Sequence, residues 1–474
     1  MHFSTPLKSS SHCMPSPDGT LIATLLPSSI TVRAIASFDV VRTVKLPSDL
    51  AGGVTSLTWS PSSSRILVAA ADQLHFFSAK DGGFHGAVRF PSSLASKPTH
   101  VECGATDNEA CVWSPLGLKL TIVNLASSKA VEISNPKLYN AASAHKGYSF
   151  RPRTHHLALL TRTDGKDMVS IHCPETREIQ RSWQPNTIDA QGLAWTPEGR
   201  WLVVWETAAQ DYRVIFYTSD GHVFKDWRGP LVHAPEDMGL EYGAGVKTLA
   251  FSPNGRHTAI ASGSRCIFML NGQSMVDEMS LRHPQTVKPK DTLQVWQEHI
   301  KLSTAGALPT TFVRATQAVS PPAASSNNMQ DVRSGCNLAK FDSSSTLLAT
   351  RLEEAPSTIW IWDVPTAELR AVIMYHSSVS KVEWHPDQPE LLLMRCEGDN
   401  YGGVLFVWDP LSGGPRSIDF ARHWPGKTDD ALPWRQQSEP PADAVATADD
   451  AEDDSSIDMD EGMSELDDTF QFKK

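Results

Sequence analysis

Long apolar runs are missing from this chain of 474 residues: none approaches the roughly 18–20 residues that a membrane helix needs. Residues 1–19 also lack the apolar core of a signal peptide. No Asn-x-Ser/Thr sequon, the acceptor site for N-glycosylation in secreted proteins, occurs in the sequence. We therefore expect a protein that is not secreted and that has no membrane as a partner.

Cysteine pairs and catalytic arrangements are also missing. The seven cysteines form no Cys-x-x-Cys pair and mostly lie inside apolar runs, so we expect buried, reduced thiols rather than disulfides or a zinc site. No Ser/His/Asp constellation or carboxylate pair emerges, and the adjacent His155 and His156 have no third ligand at metal spacing. The sequence predicts a non-enzymatic protein with no catalytic residue, cofactor or metal.

Basic charge is sparse as well. The formal net charge is −12, and twelve acidic residues but only two lysines lie between residue 443 and the C-terminus. The rest of the chain is therefore nearly neutral and lacks the dense basic face that a duplex-binding protein needs. We predict no nucleic-acid partner.

The acidic segment, residues 443–474, contains few large apolar residues, so we expect it to be a disordered tail. Ser455, Ser456 and Ser464 lie among its carboxylates, and an Asp follows three residues after Ser455 and after Ser464. Acid-directed kinases favour this spacing, because their basic sites pair with carboxylates. These serines are candidate phosphorylation sites; the alternative is a solvated tail that aids solubility. Residues 421–442 are expected to form a linker or a degenerate repeat.

What the chain does contain is a recurring hairpin pattern. Residues 192–205, GLAWTPEGRWLVVW, hold two runs rich in aromatic and branched residues, typical of strands, around a Thr-Pro-Glu-Gly turn. Copies recur along the chain, and each is followed by a third apolar strand. The eight copies are anchored at Pro15, Trp59, Cys103, Phe150, Trp195, Phe251, Phe341 and Trp384.

The spacing of the anchors predicts the fold. Five of the seven intervals are 43–47 residues long, and such a period without helical periodicity is typical of a β-propeller. The dipeptides Trp362-Asp363 and Trp408-Asp409 each end a third strand, which indicates the WD-repeat kind. We predict an all-β WD-repeat β-propeller over residues 1–420, with eight blades that pack on their neighbours.

Two other blade counts remain open from the sequence. The third unit is degraded, with Cys103 at the anchor position, which leaves seven blades as an alternative. Residues 411–440 lack a clean copy of the hairpin, but a ninth blade there is the other alternative. The Trp-Ser-Pro triplet at 113–115 resembles an anchor, yet it lies where the second strand of the third unit should end. Residues 2–8 are the candidate strand for closing the propeller.

The interval between Phe251 and Phe341 exceeds one repeat by about 45 residues. Residues 283–330 fill it, and their Pro/Ser/Ala/Asn-rich second half indicates a long loop, of the kind that often carries binding function. The stretch DTLQVWQEHIKLS in the first half suits a strand or a short helix. A hidden blade is the remaining alternative.

The Gly-His dipeptide typical of WD repeats is missing from nearly every unit. Only the last unit retains candidates for the accompanying polar network, namely His376, Asp399 and Trp408. Either these three side chains are hydrogen-bonded, or His376 and Asp399 are exposed at blade edges and packing alone holds the blades together.

The sequence resembles the WD-repeat protein eight family, which comprises an animal WD-repeat protein encoded antisense to a p53-related gene and its fungal spindle-pole counterpart. The most specific stretch is residues 167–221, which begins DMVSIHCPETREIQRSWQPN. Other matching pieces are HFSTPLKSSSHCMPSPDG, GVKTLAFSPNGRHTAIAS, LLATRLEEAPSTIWIWDV and VEWHPDQPELLLMRC. The resemblance covers about residues 1–410, without the tail and much of the insertion.

This resemblance implies a non-enzymatic adaptor in the cytoplasm, at the spindle pole body or centrosome. It implies a coiled-coil microtubule-anchoring protein and a minus-end-directed kinesin-14 as partners, which together tether microtubule minus ends. Tubulin is itself acidic and would repel the acidic tail, so we expect any contact with microtubules to be indirect. The resemblance supplies no residue-level binding motif. The alternative function is a translation-initiation-type propeller that binds ribosome and RNA. The near-neutral charge of the chain outside its tail argues against this alternative.

Overall fold

Strands account for nearly all the regular structure of the chain. The computed structural model describes residues 7–50, 53–89, 100–114, 117–137, 146–210, 212–230, 245–300, 310–323 and 334–420. Within these residues, 34 strands form eight sheets. The chain is an all-β, eight-bladed β-propeller, as the repeat predicted.

Each blade contains four antiparallel strands in chain order, and one blade has two more. Blades 1 and 2 contain β1 (Cys13–Pro15), β2 (Leu21–Leu26), β3 (Ser29–Ala34), β4 (Val40–Lys45), β5 (Val54–Trp59), β6 (Arg65–Ala70), β7 (Gln73–Ser78) and β8 (His85–Arg89). Blades 3 and 4 contain β9 (His100–Cys103), β10 (Glu109–Trp113), β11 (Lys119–Asn124), β12 (Lys129–Ser134), β13 (Tyr148–Phe150), β14 (Leu157–Thr163), β15 (Lys166–His172) and β16 (Ile179–Trp183).

Blades 5 and 6 contain β17 (Ala190–Trp195), β18 (Leu202–Glu206), β19 (Val214–Tyr217), β20 (Val223–Trp227), β21 (Val246–Phe251), β22 (His257–Ser262), β23 (Cys266–Asn271) and β24 (Asp277–Arg282). Blade 7 contains β25 (Gln294–Ile300), β26 (Thr310–Arg314), β27 (Cys336–Phe341), β28 (Leu347–Leu352), β29 (Ala355–Asp363) and β30 (Glu368–Met374). Blade 8 contains β31 (Val379–Trp384), β32 (Leu392–Cys396), β33 (Val404–Trp408) and β34 (Arg416–Asp419).

The third unit is a complete blade despite its degraded sequence. Its four strands pair in the order β12-β11-β10-β9, so the seven-blade alternative is wrong. Trp113 ends β10, the second strand, which confirms that the Trp-Ser-Pro triplet at 113–115 is not an anchor. The proposed ninth blade lies mostly outside the described residues, as do the predicted linker and acidic tail from residue 421 onward. Of the candidate closing strand, only Leu7 and Lys8 are described, and neither is in a strand.

The chain divides into two units by contact density. Of the described residues, the first unit comprises those within 7–112 and 122–130, and the second comprises those within 113–121 and 131–420. In the first unit, one core cluster joins blade 1 to blade 2, through side chains such as Ile30 and Val68, and another joins blade 2 to blade 3. In the second unit, four clusters join the successive blades from 4 to 8. The cores therefore lie between sheets, because a single hairpin cannot bury its own apolar faces.

The eight predicted anchors occupy one structural position: each is the last residue of the first strand of its blade. At this end of each blade the chain turns into the second strand. We call this end the turn side. Trp59 and Trp195 are buried, Pro15 is exposed, and the other five are half-buried.

Two glycines allow neighbouring blades of the second unit to approach closely. Gly335 precedes β27 with φ +100°, and a Cβ there would lie 2.4 Å from the carbonyl oxygen of Ser262 in blade 6. Gly245 precedes β21 with φ +86°, and a Cβ there would lie 2.2 Å from the carbonyl oxygen of Ala208 in blade 5. Both positions exclude a side chain by space and by backbone conformation.

The insertion at 283–330 corrects the prediction of a long loop. Two strands, β25 and β26, form a hairpin that extends blade 7 to six strands in the order β26-β25-β30-β29-β28-β27. β25 pairs in parallel with β30, and β26 pairs antiparallel with β25. DTLQVWQEHIKLS thus contains a strand, and the insertion is a sheet extension rather than a hidden blade. Residues 301–309 and 324–330 lie outside the described residues.

Side-chain contacts fasten this hairpin to blade 8. Phe312 of β26 lies edge-on to Tyr375 and to Phe406, with ring centroids 5.5 and 5.7 Å apart. The buried Glu298 of β25 accepts hydrogen bonds from the backbone N–H of His376 and from the Tyr401 hydroxyl, both at 2.9 Å. Its carboxylate raises the pKa of Tyr401, in addition to the effect of burial. The insertion therefore covers the outer edge of blade 7 and links it to blade 8.

Gly335→Ala should lower the free energy of unfolding by about 2 kcal/mol or more, because the new Cβ meets a backbone carbonyl and the backbone conformation is strained. Thermal and urea unfolding of the full chain measures the loss. Gly413→Ala is the matched control, since a Cβ at Gly413 meets nothing within 4 Å. Equal stability of the two variants would contradict the close approach.

Phe312→Ala should destabilise the hairpin by about 1–3 kcal/mol, because it removes a ring packed between blades 7 and 8. Hydrogen exchange of the β25 and β26 amides measures the local opening. The neighbouring Val313 is 49% exposed, so Val313→Ala should change stability by less than about 0.5 kcal/mol. Unchanged protection in Phe312→Ala would show that the hairpin is held in another way.

Candidate interaction surfaces

The two Trp-Asp dipeptides end the third strands of blades 7 and 8, but their tryptophans differ in their hydrogen bonds. Trp362 donates from Nε1 to the Thr350 hydroxyl at 3.0 Å, and that hydroxyl also bonds Nε2 of His283 at 2.8 Å. Nδ1 of His283 lies 2.7 Å from the carbonyl oxygen of Arg265, which can only accept, so the His283 proton is on Nδ1. Blade 7 therefore contains a buried polar network that joins it to blade 6.

His283 stays neutral in this network. The ring is completely buried, and burial lowers its pKa to about 4, while its bond to the Arg265 carbonyl opposes that shift. The repeat pattern does not indicate this role, because His283 precedes Cys336, the first residue of β27, by 53 residues. The insertion separates the histidine from the repeat that it serves, so its spacing carries no signal.

Of the two alternatives for blade 8, the hydrogen-bonded polar network is the wrong one. Trp408 is buried, but its Nε1 has no acceptor among the described residues. His376 and Asp399 are both exposed, and Asp399 begins a short 3₁₀ turn, Asp399–Tyr401. The alternative of exposed side chains at the blade edge is therefore correct here. Asp363 and Asp409 accept backbone hydrogen bonds from Thr366 and Leu411, in the turns that follow the two tryptophans.

Three of the anchors are tryptophans, and one of them departs from the other two. Trp59 donates from Nε1 to the Met14 carbonyl of blade 1 at 2.9 Å, and Trp384 donates to the Lys340 carbonyl of blade 7 at 2.8 Å. In each case the indole bonds the first strand of the preceding blade. Trp195 is buried like Trp59, but its Nε1 has no acceptor among the described residues. Instead, the Arg151 guanidinium lies over its ring at 5.0 Å from the centroid.

A cleft of about 260 Å³ opens beside Trp195 on the turn side of blades 4 and 5. Its lining comprises Arg151, His156, Ile171, Gln180, Arg181, Trp195, Ser219 and Asp220. Arg151 is held by a hydrogen bond of 2.7 Å from Nε to the Gly199 carbonyl. Burial lowers the pKa of His156, and the nearby charges of Arg151 and Arg177 lower it further. Two arginines and one aspartate line this cleft, which we call the turn-side cleft, so its lining carries a net positive charge.

A second cleft, of about 330 Å³, lies at the opposite end of the strands, where β17, β21 and β27 begin. Lys247 and Glu353 line it and form an ion pair with each other. Gln191 and Asn337 supply neutral polar groups beside that pair. The two charged side chains of this cleft pair with each other, so its lining carries no net charge, unlike the lining of the turn-side cleft.

A charged network links blades 4 and 5 at the end of the strands opposite the turn side. Lys137 bonds both Asp167, at 2.9 Å, and Asp189, at 2.7 Å. Arg162 pairs with Asp189 as well, and Asp167 is almost completely buried. These two bases also lower the pKa of Asp189 against the opposing effect of its burial. Every charge in this network is paired with an opposite charge within it, so the role of the network is to hold the two blades together.

Other site chemistry is not evident in the described residues. No group of three or more His, Cys, Asp or Glu side chains there could hold a metal ion, and the seven cysteines are free thiols. His155 and His156 lie in the first turn of blade 4. None of the described helices is long and apolar enough to cross a membrane. Ser455, Ser456 and Ser464 lie outside the described part of the chain.

Comparison with known proteins supports the resemblance seen in the sequence. The chain is 26% identical to the mouse WD repeat-containing protein WRAP73 over 444 residues, which covers 86% of this chain and 87% of WRAP73. It is 21% identical over 446 residues to an uncharacterized WD repeat-containing protein of Schizosaccharomyces pombe, covering 90% and 85% of the two chains. No protein-family model matches the chain. The predicted resemblance is confirmed.

Solved structures add a likeness of fold. The crystal structure of a eukaryotic initiation factor superimposes with a TM-score of 0.54 and 9% sequence identity, over 88% of this chain and 90% of that chain. At this identity the likeness extends to the propeller fold alone.

Trp362→Phe should cost about 1–2 kcal/mol more stability than Trp408→Phe, because only Trp362 donates a hydrogen bond from its indole. Both side chains are buried at the end of a third strand, so each substitution removes a similar volume from a similar site. Urea unfolding of the full chain compares them. Equal losses would contradict the network through Thr350 and His283.

Proposed function

We propose that this chain, a WD-repeat β-propeller protein, is a non-enzymatic scaffold at the spindle pole body or centrosome. It helps anchor microtubule minus ends and organise the mitotic spindle, together with a coiled-coil anchoring protein and a kinesin-14 motor. Its contact with microtubules is indirect and goes through these partners.

The observation that carries this proposal is the similarity to WRAP73, which extends over most of both chains. It supports the resemblance to a family of spindle-pole adaptors, whose role we transfer to this chain. The structure is compatible with that role, since its blades are fastened by buried clusters and polar networks that keep their surfaces in place. Surfaces held in place in this way bind partners with little loss of conformational entropy.

Live-cell imaging of the tagged, full-length chain through mitosis tests the proposal. We expect foci at the spindle poles that persist from early mitosis to anaphase, whereas the fluorescent tag alone should stay diffuse. Depletion of the protein should release microtubule minus ends from the poles. A diffuse signal throughout mitosis, with normal minus-end attachment after depletion, would contradict the proposal.

The likeness to an initiation factor does not favour the alternative role in translation, because it concerns the fold alone. Sedimentation of cell extracts on sucrose gradients separates the two functions. The proposed scaffold should remain above the ribosomal fractions, whereas a translation-initiation propeller should sediment with the small subunit.

A further inference from the structure

We propose that the turn-side cleft of blades 4 and 5 binds the phosphate or carboxylate group of an acidic peptide segment in a partner protein. This inference deepens the proposed scaffold function and rests on it, since it states the chemistry of one partner. The site consists of Arg151, Arg181 and Trp195, with His156 and Asp220 beside them.

The indole of Trp195 supplies the first argument. Its equivalents Trp59 and Trp384 each give their N–H to the first strand of the preceding blade. Trp195 is only 5% exposed and lines the cleft, yet its N–H has no acceptor among the described residues. An indole nitrogen can only donate, and a buried donor without an acceptor is costly. A ligand that brings an oxygen acceptor would satisfy it.

The two arginines supply the second argument. Within the described residues, neither Arg151 nor Arg181 forms an ion pair, although many other basic side chains of the chain do. Arg151 uses Nε on the Gly199 carbonyl and so keeps its terminal nitrogens for another partner. Among the residues that the structure describes, the Arg181 side chain bonds only the adjacent Gln180 carbonyl, at 3.3 Å. Guanidinium groups recognise planar carboxylates and phosphates by paired hydrogen bonds.

The position of Arg151 makes the site partly preformed. Its stacking over Trp195 and its bond to Gly199 connect blade 4 to blade 5 and fix the guanidinium before any ligand arrives. A fixed donor loses little entropy on binding. The nearby Arg177 donates to the His155 carbonyl at 2.9 Å, so it shapes the first turn of blade 4 while adding to the positive charge.

Asp220 limits what the site accepts. It lines the cleft in the turn between β19 and β20 and opposes the positive charge of the two arginines. A volume of about 260 Å³ has room for one side chain with its phosphate or carboxylate, which an acidic peptide segment can place there. The near-neutral charge of the chain outside its acidic tail agrees with a single local anion site.

Fluorescence anisotropy with the purified full-length chain tests the site. The probes are a labelled twelve-residue acidic peptide with one central phosphoserine, the same peptide with glutamate there, and the same peptide with lysines in place of its acids. We expect the first two to bind and the third not to bind, with affinity falling as salt rises. Stronger binding of either acidic peptide identifies phosphate or carboxylate as the preferred group.

Substitutions locate the binding. Arg181→Gln should weaken binding about tenfold, because it removes a charge-assisted contact from an exposed side chain that the fold does not need. Trp195→Phe should weaken it several-fold, and Asp220→Asn should strengthen it by removing the opposing charge. Arg256→Gln is the control, since Arg256 is an exposed arginine outside the cleft, in the turn between β21 and β22 of blade 6.

Equal binding of the Arg181→Gln and Arg256→Gln variants would overturn the site, as would equal binding of the acidic and lysine peptides. Thermal unfolding of each variant shows whether a loss reflects unfolding. This measurement uses purified components, so its failure leaves localisation at the spindle pole unaffected. Conversely, peptide binding by a chain that never reaches the poles would refute the scaffold proposal alone.

Discussion

The structure depends on the burial of each sheet against its neighbours. The second and third strands of most blades are apolar on both faces, as in Leu202–Glu206 and Val214–Tyr217 of blade 5. Their buried clusters always combine side chains from two successive blades. Because the hydrophobic free energy is released only when the next blade is in place, no blade is an independent core. The anchors and the glycines before the first strands set how closely those blades approach.

The blades share this apolar packing, but the polar contacts that link neighbouring blades differ from one blade to the next. A network through His283 and Thr350 joins blades 6 and 7, whereas Glu298 of the inserted hairpin reaches blade 8. Blades 4 and 5 are joined by Lys137 and its two aspartates on one side and by Arg151 on the other. Function can therefore differ between blades although the apolar packing is the same. The turn-side cleft illustrates this, because one anchor tryptophan there lacks the bond that its equivalents make.

The sequence predicted the features that repeat and missed those that occur once. All eight anchors and the eight blades follow from a period of apolar residues and turns, which is a local signal. Strand β25 lies in the stretch expected to be a strand or a short helix, but its partner β26 (Thr310–Arg314) was missed, since it is short and lies among Pro/Ser/Ala-rich residues. His283 was missed because the insertion separates it from its blade. Arg151 and Arg181 come together only through the folding of blade 4, which no spacing in the sequence reveals.

Under the proposed function, this propeller is a scaffold for spindle-pole proteins. The most direct measurement is the composition, by quantitative mass spectrometry, of the complexes that co-purify with the tagged, full-length chain from mitotic cells. A scaffold of this kind should give near-stoichiometric recovery of a coiled-coil anchoring protein together with a kinesin-14 motor. Recovery of ribosomal subunits and initiation factors in their place, or of the chain alone, would contradict it.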